Sequence, residues 1–250
     1  MYMNTTRCHG GRLGNSLFVG IAVHLIAKRS NLKFNYKYHD KFKKLGIELF
    51  SGENTFDETI SLRDNNFMGL INSEEPIYKN IHVLNNVWCQ IKEYAFFLKD
   101  YLEKEEQKSK IINANQHSDR YKNNNDVYVH VRLGDVAHRG FTPGFDYFDK
   151  ALTALKFENG YISSDSINHP LCKQIIEKFK LKTIETSEED TIAFASTCKY
   201  LVLSSGTYSW MIGVLGYFSE IYYPKIYKVW HGDVFVFPEW KEIEYDYVAS

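Results

Sequence analysis

Arginine is scarce in this chain. Seven of its 30 basic Lys and Arg residues are arginine, and 31 acidic residues bring the formal net charge to -1. So balanced a sequence lacks the basic field of a DNA or RNA groove, which excludes nucleic acid as a main partner. Any bound anion must be held by a few placed groups. Cysteine is also scarce. Cys8, Cys89, Cys172 and Cys198 stand far apart, with no CxxC pair and no His/Cys cluster at zinc-ligand spacing. They read as reduced, mostly buried thiols. Long apolar runs are missing. "SLFVGIAVHLIA" is too short to span a bilayer and follows a polar start without signal-peptide layout. The expectation is a cytoplasmic protein with no transmembrane segment, and the one sequon, Asn4-Thr5-Thr6, reads as chance. No internal repeat and no D-x-D metal motif occur. The glycine turn "HGGRLGN" lacks both the Walker lysine and the dinucleotide fingerprint spacing, which weighs against a P-loop kinase and a methyltransferase.

What is present is ample core material in 250 residues, 44% hydrophobic and 16% aromatic. That suits one large domain or two lobes. Residues 1–8 predict a strand, and "HGGRLGN" a turn. Leu17, Ile21, Ala22, Leu25 and Ile26 recur at helical spacing up to about Ser30. A short strand is expected around "LKFNY" and another in "IHVLNNVWCQ", followed by one helix over "IKEYAFFLKDYLEKEEQKSKII". The polar stretch "NANQHSDRYKNNND" reads as a linker. The expected division is an N-terminal lobe over 1–122 and a C-terminal lobe over 123–250.

Beyond that stretch, strands at 127–132, 160–165, 182–184 and 200–205 alternate with helices at 145–158, 168–180, 187–199 and after Gly206. Such alternation implies a parallel sheet with helices on both faces, whose ligands bind at the carboxyl ends of the strands. Three constellations sit at such ends. Arg132 follows Val127, Val129 and Val131, which share one strand face, while Tyr128, His130 and Arg132 share the other. Its planar fork can grip a phosphate, or it can pair with Asp135 and tie the Leu133-Gly134-Asp135 turn. His130 is either a hydrogen-bonded core histidine or a proton acceptor. In "LSSGTYSW" small hydroxyl residues and a glycine precede a helix, so Ser205, Thr207 and Ser209 can cap it or bind phosphate. Asp165 closes "GYISSD", where it can meet a ribose or base edge or cap the next helix.

Five segments, taken in order, resemble the α-1,2-fucosyltransferases of glycosyltransferase family 11. They are "GRLGNSLF" (11–18), "NVWCQIKEYAFFLKDYL" (86–102), "HVRLGDV" (130–136), "ISSDS" (162–166) and "DTIAFASTCKYLVLSSGTYSWMIGVLG" (190–216). The third is similar to an HxRxGD motif shared by several fucosyltransferase families. The resemblance implies a GT-B-like α/β fold, two Rossmann-like lobes with a cleft between them, the N-terminal lobe (1–122) on the acceptor side and the C-terminal lobe (123–250) binding the GDP-sugar. It also implies inverting, metal-independent transfer of L-fucose from a GDP-fucose donor to a glycan acceptor. Carried over, Arg132 would bind the diphosphate, with Asn15 and Gly14 facing it from the other lobe. Asp165, Ser205, Thr207 and Ser209 would hold the nucleoside and phosphates. By their nearness to the motif, Asp135, Asp146 and His130 are candidates for the proton acceptor. No cofactor or metal is expected beside the donor. Leu133 stands where the family has a second arginine, with Arg139 as a possible substitute, and Met211 stands where it has a second tryptophan. The alternatives are a transferase of another GDP-sugar and a catalytically silent nucleotide-sugar or glycan-binding protein.

Overall fold

The computed structural model describes residues 11–134, 139–229 and 232–247. The expected strand at 1–8, the Asn4 sequon, Cys8 and Asp135 lie outside them. The chain is α/β and divides into two compact units, Met1–Ile111 and Ile112–Ser250.

In the first unit, α1 (Leu13–Ser30) is apolar on nearly every side. Leu13, Leu17, Phe18, Ile21 and Ile26 are fully buried, each contributing roughly 1.5–3 kcal/mol of burial. The helix stops at Asn31 in the left-handed conformation, a common helix end. The short helix α2 (His39–Lys44) follows. "LKFNY" forms no strand but only isolated bridge residues, Leu32, which pairs with Asn54, and Asn35. A parallel pair, β1 (Thr59–Leu62) and β2 (Asn80–Val83), flanks α3 (Phe67–Asn72). Arg29 Nη1 and Nη2 donate to the carbonyls of Ile71 and Leu70, which the end of α3 leaves without helical partners. The expected single helix after Gln90 is two, α4 (Lys92–Glu103) and α5 (Glu105–Ala114). At Lys104 ψ swings to 134°, out of the helical range, and a new acidic first turn begins at Glu105.

The second unit is built on six parallel strands: β3 (Val127–Val131), β4 (Gly160–Ser164), β5 (Lys182–Thr183), β6 (Tyr200–Val202), β7 (Glu220–Pro224) and β8 (Lys241–Ile243). Their order is β5-β4-β3-β6-β7-β8, the third-second-first-fourth-fifth-sixth order of a doubly wound dinucleotide fold. The order reverses between β3 and β6, which pair from Val127–Tyr200 to Val129–Val202. Helices α6 (Phe145–Thr153) and α7 (Pro170–Phe179) pack together, as do α8 (Glu188–Ala195) and α9 (Thr207–Leu215). The alternation in β3 explains the layering. Val127, Val129 and Val131 join Tyr147, Phe148, Cys172 and Ile175 in one core, while His130 meets α9 on the other face. Every β3 residue is buried, as a strand covered on both faces requires.

The polar stretch 113–126, expected as a linker between lobes, is a strap bonded to this unit. Asn115 Nδ2 donates to the Ala193 carbonyl at 2.8 Å, and Asn124 Nδ2 to the Thr197 carbonyl at 2.9 Å. Arg120 bonds Thr197 Oγ1 and Asp126, and lies 4.4 Å over the Phe194 ring. Turn-forming Asn side chains here serve carbonyls at and just beyond the end of α8.

Candidate active site

Three of the expected constellations meet at the carboxyl edge of the second unit's sheet. They follow β3, β4 and β6, at the point where strand order reverses and doubly wound sheets open a binding crevice. After β6 the chain passes Ser204 and Ser205 to Gly206, the N-cap of α9. Gly206 has φ 102° and ψ 160°, a conformation essentially restricted to glycine. α9 has no side-chain cap and no acid in its first turn. The start of a helix presents N–H groups and a partial positive charge, and the first turn of α9 carries no acid of its own against it.

The Arg132 guanidinium rests on this turn. A β-carbon at Gly206 would collide with its Nη1. Described residues of the loop beyond Arg132 are fastened by several hydrogen bonds. Thr142 Oγ1 donates to the Arg132 carbonyl at 2.7 Å, Ser205 Oγ to the Phe141 carbonyl at 2.7 Å, and Lys228 Nζ to the Arg139 carbonyl at 2.9 Å. Ser205 therefore directs its hydroxyl to that loop. Arg139 is exposed.

Asp165 is also engaged. Its Oδ1 accepts the Leu133 N–H at 2.8 Å, and its Oδ2 occupies the space that a side chain at Gly134 would fill. Gly134 has φ 23°. The carboxylate thus shapes the turn that carries Arg132. His130 Nδ1 lies 2.6 Å from Ser209 Oγ, and its ring centre is 5.0 Å from that of Tyr208. His130 and Ser209 are both buried, and their bond ties β3 to α9. Burial pushes the Tyr208 phenol well above its usual pKa; it stays protonated and donates to the Glu188 carbonyl at 2.8 Å. Thr207, the first helical residue, is buried.

Asn15 and Gly14 belong to the first unit, in the first turn of α1. Gln90 Nε2 donates to Asn15 Oδ1 at 3.1 Å, joining two motifs 75 residues apart. Gly14 is buried.

Gly206 was read from sequence only as the glycine that precedes the helix, not as the seat of Arg132, and Thr142 was not read as part of the site. Gly206 carried a legible signal, a glycine at a strand-to-helix junction among small hydroxyl residues. Thr142 carried none, because its partner is a backbone carbonyl ten residues away. The three described cysteines are buried, and burial pushes the Cys198 thiol up to about 12, so it stays protonated and unreactive. Among the described residues no group of three or more His, Cys, Asp or Glu side chains is placed to hold a metal ion. None of the described helices is long and apolar enough to cross a membrane.

No protein-family model matches the chain, and no curated protein does. Two solved fucosyltransferase structures resemble it. One is the fucosyltransferase NodZ from Bradyrhizobium, at 11% identity over 84% of this chain and 92% of that one, with a TM-score of 0.48. The other is NodZ α-1,6-fucosyltransferase soaked with GDP-fucose, at 12% identity over 84% and 91%, with a TM-score of 0.49.

Proposed function

We propose that this chain is a glycosyltransferase that moves L-fucose from GDP-fucose to a sugar hydroxyl, with inversion, without a metal, and in α-1,2 linkage. One observation carries the reading: the Arg132 guanidinium rests on the glycine that opens α9, at the reversal point of the sheet. A planar cation beside a helix start that lacks both a side-chain cap and an acid suits a diphosphate. The ordered motif resemblance supports fucose as the sugar and GDP as its carrier.

In the proposed reaction the acceptor hydroxyl attacks the anomeric carbon as the bond to the β-phosphate oxygen breaks. GDP leaves with the electron pair, and its growing charge meets Arg132 and the α9 N–H groups. The hydroxyl proton passes to Asp135 or through water. Thr207 is the proposed further phosphate contact. Gly14 and Asn15 are proposed donor contacts of the first unit, on the resemblance. Asp165, Ser205, Ser209 and His130 act by positioning: the first two hold the loop around Arg132, the last two hold β3 to α9.

Calorimetric titration with GDP, GDP-fucose, GDP-mannose, UDP and ADP, with and without EDTA, tests this. GDP and GDP-fucose binding that survives EDTA and is lost in Arg132→Ala is expected. Preference for UDP or ADP, or no nucleotide binding at all, would overturn it. NMR of a glycan product reads the linkage and anomeric configuration.

A further inference from the structure

We propose that the carboxyl edge of the β1–β2 pair is a pyranose-binding subsite built on Trp88, and that it takes the acceptor sugar of the proposed transfer, on which this inference rests. The strands are parallel, so their carboxyl ends lie together. Asp64 follows β1, and Trp88, Cys89 and Gln90 follow β2. One carboxylate oxygen, Asp64 Oδ1, accepts both the Trp88 N–H at 3.0 Å and the Cys89 N–H at 2.8 Å.

Between Trp88 and Gln90 the backbone is strained. Cys89 sits at φ 54°, a region that a residue with a β-carbon seldom occupies. Such an outlier persists where its surroundings over-determine it, and these outliers cluster at functional sites. The twist has a visible result. Cys89 and Gln90 are buried, while Trp88 stays partly exposed. The other two described tryptophans, Trp210 and Trp240, are buried core residues. The Trp88 ring is set closely against Gly11, where a β-carbon would lie 3.1 Å from Cζ3. The Asn15–Gln90 amide pair adjoins it, because Asn15 also packs on Gly11. Lys37 Nζ donates to the Gly11 carbonyl at 2.8 Å. A partly exposed indole beside a pair of side-chain amides, with its backbone held by a carboxylate, suits a sugar. The ring face meets C–H bonds, and the polar groups meet hydroxyls.

The test is saturation-transfer NMR on the full chain, using methyl glycosides of D-galactose, D-glucose, N-acetyl-D-glucosamine and L-fucose, with GDP titrated separately. Transfer to a hexoside other than the fucoside is expected, lost in Trp88→Ala and kept in Trp88→Phe. Asp64→Ala should lose it and Asp64→Asn, which keeps the accepting oxygen, should retain it. Four results would overturn the subsite: no transfer to any glycoside, transfer unchanged in Trp88→Ala, transfer to the fucoside alone, or loss of GDP binding in Trp88→Ala, which would make the indole a base-stacking surface. Intact GDP binding with no glycoside signal removes the subsite and leaves the transferase reading standing. Glycoside binding without GDP binding supports the subsite and removes the transferase.

Discussion

The guanidinium of Arg132 lies against the α-carbon of Gly206, 74 positions along the chain from it. The contact exists because parallel strands β3 and β6 are neighbours, which sets their carboxyl ends side by side. Gly206 is required twice over, for its φ of 102° and for the space that the arginine fills. Gly206→Ala is expected to cost about 1–3 kcal/mol in stability and to weaken GDP binding by about tenfold or more. Gly69 is the control. It is an exposed helical glycine whose added β-carbon meets nothing within 4 Å, so Gly69→Ala should gain up to about 1 kcal/mol with GDP binding unchanged. Thermal unfolding and calorimetry on both variants read the outcome.

Arg132→Lys separates charge from shape. Lysine keeps the positive charge but not the planar fork. Arg132→Ala should lower kcat/KM by about 10²–10³, or ~3 kcal/mol, and the lysine variant should recover only part of that. Full recovery in Arg132→Lys would show that bidentate geometry is unimportant.

Asp165 distinguishes positioning from contact. Its oxygen holds the Leu133 N–H, and a hydrogen bond to a charged group is worth about 1.5–3 kcal/mol. Asp165→Ala should lower the melting temperature and weaken GDP binding. Asp165→Asn, which retains Oδ1 as acceptor, should behave close to wild type in both. If Asp165→Asn keeps its stability but loses GDP affinity, the carboxylate touches the nucleotide directly.

His24 gives the first unit a pH-dependent stability. Its Nδ1 accepts the Phe50 N–H at 2.8 Å, so the neutral ring carries its hydrogen on Nε2, 3.0 Å from Tyr101 Oη. Burial, followed by Lys28 and Lys110, pushes its pKa down from 6.5 to about 4. The unfolded chain binds this proton more readily, so the stabilisation is complete above 6.5 and is lost as pH falls toward 4. The expected loss is about 2 kcal/mol between about pH 7.5 and about pH 5. Urea unfolding across that range should show it, and His24→Asn should flatten the slope while lowering stability at neutral pH. An unchanged slope in the variant would assign the effect to other groups.

The sequence by itself determined the α/β class, the period-two face of Val127, Val129 and Val131, the start of α9 after Gly206, and Arg132 at a strand end. These are local properties, set by side-chain periodicity and by residues that can open a helix. The tertiary structure decided the rest. Strand order is set by which edges pair, and no local pattern states that β6 lies beside β3. β8, Lys-Glu-Ile, has no apolar alternation and is a strand because β7 offers it an edge. Asp165, Ser205 and Ser209 looked like donor contacts because their residue types suit phosphates and riboses. Their present partners, Leu133, Phe141 and His130, lie 32, 64 and 79 positions away and come within reach through parallel register alone. The segment 113–126 looked like a linker because Asn, Asp and Arg favour turns. It became a strap because the end of α8 and the residues just beyond it present the carbonyls of Ala193 and Thr197, which the amides of Asn115 and Asn124 can bond.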